Sequence, residues 1–382
     1  MPQTPQHQNI VSITKCDDYD YAAVKAAIEA NITHLGGLEG YITRGERVLL
    51  KINMLMKKRP EEACTTHPVF VRALSDILLD YGCHVVIGDS PGGMFSEGYL
   101  RGIYEATGMR AIADSTAATL NANYGAFELE NPQGLLIKRF AATDMLNDVD
   151  KVISVSKMKT HGFMGFTGAV KNMFGIVPGL IKFEYHMNMP DHDNFADALI
   201  DVCLAADPVL CFMDGIVAME GAGPSGGEPR QMGLCIASPS PYALDMAAVA
   251  IIGMAFDKTP TVRRAIARGL GPADLDGITF CGTPWQDVAV TDYDIPEIEI
   301  ILRRTLKVAG RFLKPKPIFV KKLCNGCQDC VKSCPPKVIS MAKHRPRVAL
   351  KGCIRCFCCQ ELCPKKAIKI HRPRLLKFLS RL

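Results

Sequence analysis

The sequence predicts an α/β protein: an N-terminal domain on a mainly parallel sheet, then a small α+β C-terminal domain. Three observations carry this. Over roughly the first 285 residues, short β-branched apolar runs alternate with longer segments whose apolar residues recur three and four apart, the pattern of repeated strand–helix units. Near the C-terminus, eight cysteines form two runs of one spacing, each closed by a proline. Charge divides along the chain as well. From residue 302 onward there are 22 Lys and Arg against only Asp329 and Glu361, while the preceding residues carry 23 basic and 37 acidic groups within a net charge of +6.

The expected strands are Arg47–Ile52 (RVLLKI), His84–Gly88 (HVVIG), Lys151–Val155 (KVISV), Val209–Phe212 with the following Met213, and Leu234–Ala237. Between them, Pro68–Tyr81, Asn194–Ala206 and Pro241–Phe256 read as amphipathic helices. A helix is expected over Glu297–Leu313, with Lys314-Pro-Lys-Pro as its stop and a stiff linker. The domains are then 1–296, a helix and linker at 297–321, a cysteine-rich domain at 322–371 and a basic tail at 372–382. That tail is amphipathic; packing on its own protein is favoured over contact with a membrane surface.

A hydrophobic share of 48% in 382 residues supports a sizeable core and excludes disorder. No apolar run approaches the length needed to span a bilayer, and the polar start MPQTPQHQNIV lacks the order of a secretory signal. Nine of the sixteen cysteines fall within residues 322–371, and the other seven are scattered without pairing spacing, as buried thiols are. A reduced, cytoplasmic protein is expected, from an organism that limits oxygen exposure.

The first cysteine run is Cys324, Cys327, Cys330 and Cys334 before Pro335, and each member recurs 29 residues later as Cys353, Cys356, Cys359 and Cys363 before Pro364. Zinc explains neither the third cysteine of each run nor the trailing proline, and a disulfide framework is foreign to a cytoplasmic chain. Over Lys322–His371 this C-x2-C-x2-C-x3-C-P duplication resembles the two-cluster bacterial ferredoxins at all eight ligand positions. The resemblance implies two [4Fe–4S] clusters, one on Cys324, Cys327, Cys330 and Cys363, the other on Cys353, Cys356, Cys359 and Cys334. A ninth cysteine, Cys358, matches Asp329 in the first run and reads as a spare thiol; substituting it for Cys359 would break the repeat.

Ligands of open α/β sheets collect at the carboxyl ends of strands, which makes residues there site candidates. They are Lys51 and Asn53, then Asp89 with its glycine turn, then Lys157, Lys159, His161, Lys171 and Asn172, then Asp214, Glu220 and a second glycine loop. Glycines admit close backbone approach and lysines supply charge, so an anionic small molecule is the expected ligand. Lys157, Lys159 and Lys171 stand in apolar sequence and need partners; His161 is the preferred acid–base group, held neutral by nearby positive charge. Asp89 and Asp214 fit a metal or ribose hydroxyl, and also ordinary turns. His67, at a helix entry, reads as a cap or an acid–base group, with capping by its neighbour Thr66 favouring the structural role.

The segments LLKINM, TTHP, VVIGDSPGG, SVSKMKTHGFMGFTGAVKNMFG and MDGIVAMEGAGPSGG, spanning roughly Val48–Ser238, resemble the family catalogued as domain of unknown function 362. Members often carry a ferredoxin segment; the resemblance implies a domain without a settled reaction. A weaker likeness to the N-terminal domain of lactate racemase assigns no nickel site. Together these features imply an iron–sulfur oxidoreductase passing electrons to or from an anionic molecule bound by the large domain. The alternative is a carrier whose large domain docks a partner enzyme. The basic C-terminal surface suits an acidic redox partner such as a ferredoxin or flavodoxin, and no aromatic interleaving suggests nucleic acid.

Overall fold

In a computed structural model the chain is described at residues 9–296, 315–343 and 345–371. The expected helix at 297–313 and the basic tail lie outside the described residues. In chain order the elements of the large domain are β1 (Ile10–Lys15), α1 (Tyr21–His34), β2 (Arg47–Ile52), α2 (Pro68–Tyr81), β3 (His84–Gly88), α3 (Glu97–Ala106), α4 (Met109–Ser115), β4 (Thr119–Leu120), β5 (Ala126–Glu130), β6 (Arg139–Thr143), β7 (Lys151–His161), β8 (Gly165–Thr167), α5 (Ala169–Asn172), α6 (Lys182–Asn188), α7 (His192–Ala206), β9 (Leu210–Glu220), β10 (Glu228–Ser238), α8 (Pro241–Ile251), α9 (Pro260–Ala267) and β11 (Thr279–Gly282). The small domain contributes β12 (Lys316–Phe319), α10 (Asp329–Lys332), β13 (Ile339–Ala342), β14 (Arg345–Val348), α11 (Cys358–Glu361) and β15 (Ile368–His371).

One nine-stranded sheet runs β11-β1-β10-β9-β7-β2-β3-β4, with β8 folded back on β7. Pairing is parallel from β9 through β7, β2 and β3 to β4 and antiparallel around β10, so the sheet is mixed but mainly parallel. Alternation along β2 sends Val48, Leu50 and Ile52 into the core under α1 and α2, and Leu49 into the core under α7. The third core packs α8 on Val11, Ile13 and Met213.

Helix α2 has the expected bounds because its signals are local. Pro68 opens it, Phe70, Val71, Leu74 and Leu78 share its buried face, and Gly82 at φ +101° ends it. Its cap is His67, whose Nδ1 accepts from Val69 N at 3.3 Å, and not Thr66. Strand β7 extends six residues beyond its expected end, to His161, because its continuation pairs with β9 and β8. Helix α8 stops at Ile251 instead of Phe256, where Gly253 takes a φ of +68°.

In the small domain the sequence duplication is repeated in the backbone. Left-handed residues recur 29 apart as Gly326 and Arg355, Gln328 and Phe357, and Lys337 and Lys366. Helices α10 and α11 are offset equally, and the strands pair as β12–β15 and β13–β14. Left-handed backbone at Arg355, Phe357 and Gln328 is costly, and persists where surrounding structure imposes it.

The loop between β5 and β6 is held to α7 by one buried carboxylate. Asp201 accepts Leu135 N at 2.8 Å, Leu136 N at 2.7 Å and Ile137 N at 2.8 Å, and pairs with Arg268 at 2.6 Å. Asp201→Ala is expected to lower unfolding free energy by about 3–5 kcal/mol, because it strands buried donors and a cation; urea denaturation measures it.

Candidate functional site

Residues expected in a loop after β7 lie within the strand, where Lys157, Lys159 and His161 follow one another at alternate positions. Lys157 and Lys159 flank an irregularity in the pairing with β9, which aligns Lys157 with Asp214 and Lys159 with Met219. All three side chains are buried.

Burial obliges each lysine to find partners, and the fold supplies them. Lys51 pairs with Asp89 at 2.8 Å and donates to Ile52 O at 2.7 Å and Asn172 Oδ1 at 3.2 Å. Lys157 pairs with Asp214 at 2.8 Å and donates to the Tyr19 hydroxyl at 2.8 Å, which itself donates to Asp214. Tyr19 stacks on His67 with ring centroids 3.5 Å apart. Lys159 donates to Asn53 Oδ1 at 2.7 Å and Cys64 O at 2.6 Å, and burial holds it down to about 8. These three ammonium groups hold strand ends and loops together. Asp89 and Asp214 are the counter-charges of Lys51 and Lys157, and Glu220 accepts Asp294 N at 3.0 Å.

Lys171 is different. Among the described residues it makes no hydrogen bond or ion pair; its ammonium lies 5.9 Å from the Phe174 ring centroid. It lines a cleft of about 70 Å³ with Asn53, Asp89, Asn172, Phe174, Lys182 and His186. The opposite wall is Cys358, Glu361 and Leu362, on and beside α11 of the small domain. Thus Cys358, which duplicates no ligand position, faces a space between the domains.

His161 stands beside that wall. Its Nδ1 accepts from Phe163 N at 3.0 Å and Met164 N at 3.1 Å, so the ring proton of the neutral form sits on Nε2. Nε2 is buried without a hydrogen-bond partner, 3.8 Å from Glu361 Oε2. Burial first, and then Lys171, push its pKa well below the usual histidine value. It is therefore a neutral N–H donor. His186, stacked on Phe195 at 4.3 Å, is pushed down to about 3 by burial, and its Nδ1 is also unpartnered.

The glycine turns expected to cradle an anion instead admit the small domain. A Cβ on Gly92 would lie 3.3 Å from Leu362, on Gly162 3.1 Å from Ile370, and on Gly226 3.0 Å from Gln360 Nε2. Gln360 donates to Ala222 O at 3.0 Å, Lys366 to Gly227 O at 2.9 Å, and Ser225 Oγ to the Glu361 carbonyl.

The cysteine runs gather around two hollows. One is lined by Cys324, Cys327, Cys330 and Cys363 with Phe319, Met341 and Pro346; the other by Cys334, Cys353, Cys356 and Cys359 with Pro317, Ile339 and Val348. Each takes three cysteines from one run and the fourth from the other. Among the described residues no three His, Cys, Asp or Glu side chains converge to hold a single ion. Thiols ringing an apolar hollow fit a many-atom cluster, whereas a zinc ion needs ligands about 2.3 Å from one point.

Residues 48–250 match the model of a domain of unknown function, DUF362. The chain belongs to the DUF362 family. Its residues 316–364 match a 4Fe-4S dicluster domain, so the small domain is an iron–sulfur electron-transfer domain. This DUF362 chain is 31% identical over 323 residues to a thylakoid-associated protein of Synechocystis sp., covering 82% of this chain and 98% of that one. Among solved structures, lactate racemase apoprotein from Thermoanaerobacterium thermosaccharolyticum aligns at 14% identity and TM-score 0.36, over 62% of this chain and 55% of that one. A structural-genomics protein from Thermotoga maritima aligns at 14% identity and TM-score 0.35, over 58% of this chain and 56% of that one. The DUF362 chain thus spans just over half the length of each structure. No described helix is long and apolar enough to cross a membrane.

Tyr19, Lys182, His186 and Glu361 were not among the expected site residues. Lys182 donates to Ser90 O at 2.6 Å and Val177 O at 2.5 Å, and burial holds it down to about 7 against an ordinary 10.5. Between those values the unfolded chain binds more protons than the folded one, so this lysine makes stability rise with pH across that window. Lys182→Met is expected to flatten that rise, read as the difference in urea midpoint between about pH 7 and pH 9.

Proposed function

We propose that this chain is a two-cluster iron–sulfur protein that exchanges single electrons with a small anion held between its domains. One observation carries the reading: α11, lying between Cys356 and Cys363, forms a wall of the cleft that Lys171 lines. We assign one [4Fe–4S] cluster to Cys324, Cys327, Cys330 and Cys363 and the other to Cys334, Cys353, Cys356 and Cys359. When bound, such clusters supply one-electron transfer at a potential set by their surroundings.

The protein's own residues do the rest. The Lys171 ammonium receives the anion; among the described residues it has no counter-charge of its own. Asn53 and Asn172 line the same space, and Phe174, Phe183 and Leu362 limit water around it. The Nε2–H of His161, unpartnered and 3.8 Å from the Glu361 carboxylate, is a donor held in reserve beside the domain seam. The cleft volume favours a ligand of a few heavy atoms, such as a two- to four-carbon carboxylate. Six of the seven cysteines outside the cysteine-rich domain are buried and unpaired, which suits a reducing, cytoplasmic setting.

The internal engagement of Lys51, Lys157 and Lys159 favours a second reading, an electron carrier whose large domain docks a partner enzyme. Calorimetric titration of anaerobically reconstituted protein with oxalate, pyruvate and succinate separates the two. The first reading expects about eight irons per chain and binding of at least one carboxylate. Lys171→Met should then weaken binding at least tenfold with iron content unchanged, about 1.4 kcal/mol or more. Full iron loading with no carboxylate bound would leave the carrier reading.

A further inference from the structure

We infer that the outer face of the small domain, around Cys327, is a docking surface for an acidic one-electron carrier protein. The inference rests on reading that domain as an electron relay, and not on the cleft ligand.

The two hollows are not equally enclosed. Of the eight cysteines that line them, Cys327 is the one classed as exposed, whereas Cys330, Cys334, Cys359 and Cys363 are buried. The chain entering the Cys327 loop is Lys321-Lys322-Leu323, all exposed, with Leu323 46% accessible. Strand β14 joins this patch because the Arg345 guanidinium donates to the Lys321 carbonyl. Along β14, Arg345 and Arg347 are exposed on either side of buried Pro346, so strand alternation places both on one outward face.

Among the described residues these cations have no counter-charges. Residues 316–371 hold 13 Lys and Arg against Asp329 and Glu361. Among the described residues, the one basic side chain of this domain in an ion pair is Lys366, 3.5 Å from Glu228. Two cluster dianions would return about four negative charges and leave the domain positive. The side that meets the large domain, through Gln360, Lys366 and Ile370, is already occupied. The remainder of the chain carries 37 carboxylates against 32 basic groups, and the acidic excess lies before residue 302, where 37 carboxylates stand against 23 basic groups. The molecule is therefore an electrostatic dipole whose positive end carries the most accessible cysteine. A negatively charged carrier is drawn to that end and repelled from the other, and such steering raises association rates about 10- to 1000-fold. Leu323 supplies an apolar contact amid the charges, as docking interfaces require. Each productive encounter moves one electron, the carrier being oxidised by one and this chain reduced by one. An anionic membrane would also be attracted, but the patch consists of strands and turns, and the exposed apolar side chains of the small domain, Ile318, Leu323 and Leu350, sit on separate segments and form no amphipathic helix to insert into lipid.

Fluorescence anisotropy of labelled flavodoxin, titrated with oxidised, reconstituted full-length protein, tests the inference. Raising KCl from about 20 to 300 mM is expected to weaken binding at least tenfold, because screening shortens the reach of surface charge. The triple variant K321E/K322E/R345E should weaken binding at least tenfold at low salt and flatten the salt dependence, with iron content unchanged. Lys138→Glu, on the exposed β5–β6 loop, should alter neither. No flavodoxin binding by the unaltered protein, or wild-type binding by the triple variant, overturns the proposal. So does unchanged flavodoxin binding accompanied by loss of sedimentation with phosphatidylglycerol-containing vesicles. Carboxylate titration of the same variant keeps the two ideas apart: retained anion binding alongside lost flavodoxin binding supports this surface, and failure of carboxylates to bind at all would not touch it.

Discussion

The arrangement depends on the close approach of two backbones. Helix α11 reaches the large domain because Gly92, Gly162 and Gly226 offer no Cβ where Leu362, Ile370 and Gln360 arrive. Hydrogen bonds from Gln360 and Lys366 to the carbonyls of Ala222 and Gly227 then close the seam. A cleft with one wall from each domain follows directly. Bulkier residues at those turns would hold the small domain off and open the cleft to water.

Within the large domain the controlling cost is desolvation. Lys51, Lys157 and Lys159 are fully buried, and each is tolerable only because oxygen atoms surround its ammonium. These groups anchor the ends of β2 and β7 to neighbouring loops, so their charge is spent before any ligand arrives. Among the described residues Lys171 lacks such partners. The same reasoning makes His161 a neutral donor: two backbone amides occupy its Nδ1, and burial disfavours a second proton. An imidazole with its lone pair so engaged is poorly placed to ligate a metal and well placed to hold an acceptor.

The two domains also divide electrostatic labour. Acidic groups predominate in the large domain, and basic groups without an ion pair among the described residues cover the free side of the small one. Opposite net charges favour their mutual packing, while the surplus positive charge faces outward.

Much of this was legible in the residues alone. Strands β2 and β3 and helix α2 have their expected bounds, because apolar periodicity, Pro68 and Gly82 act within a few residues of themselves. The two cysteine runs are plain in the sequence; in the fold Cys324, Cys327, Cys330 and Cys363 line one hollow and Cys334, Cys353, Cys356 and Cys359 the other, with Cys358 left aside. Strand β1 and helix α1 went unread, since α1 has a weak apolar face, and Tyr19 went with them. What the sequence determined by itself was local periodicity and a covalent spacing of ligands, both set by neighbours along the chain. Which of several similar lysines would be consumed by the fold, and which turn would receive a domain instead of an anion, was decided by tertiary contacts between residues 57 to 139 positions apart, such as Lys157 with Asp214 and Lys366 with Gly227. Desolvation and close packing depend on those distant neighbours, and no local pattern encodes them.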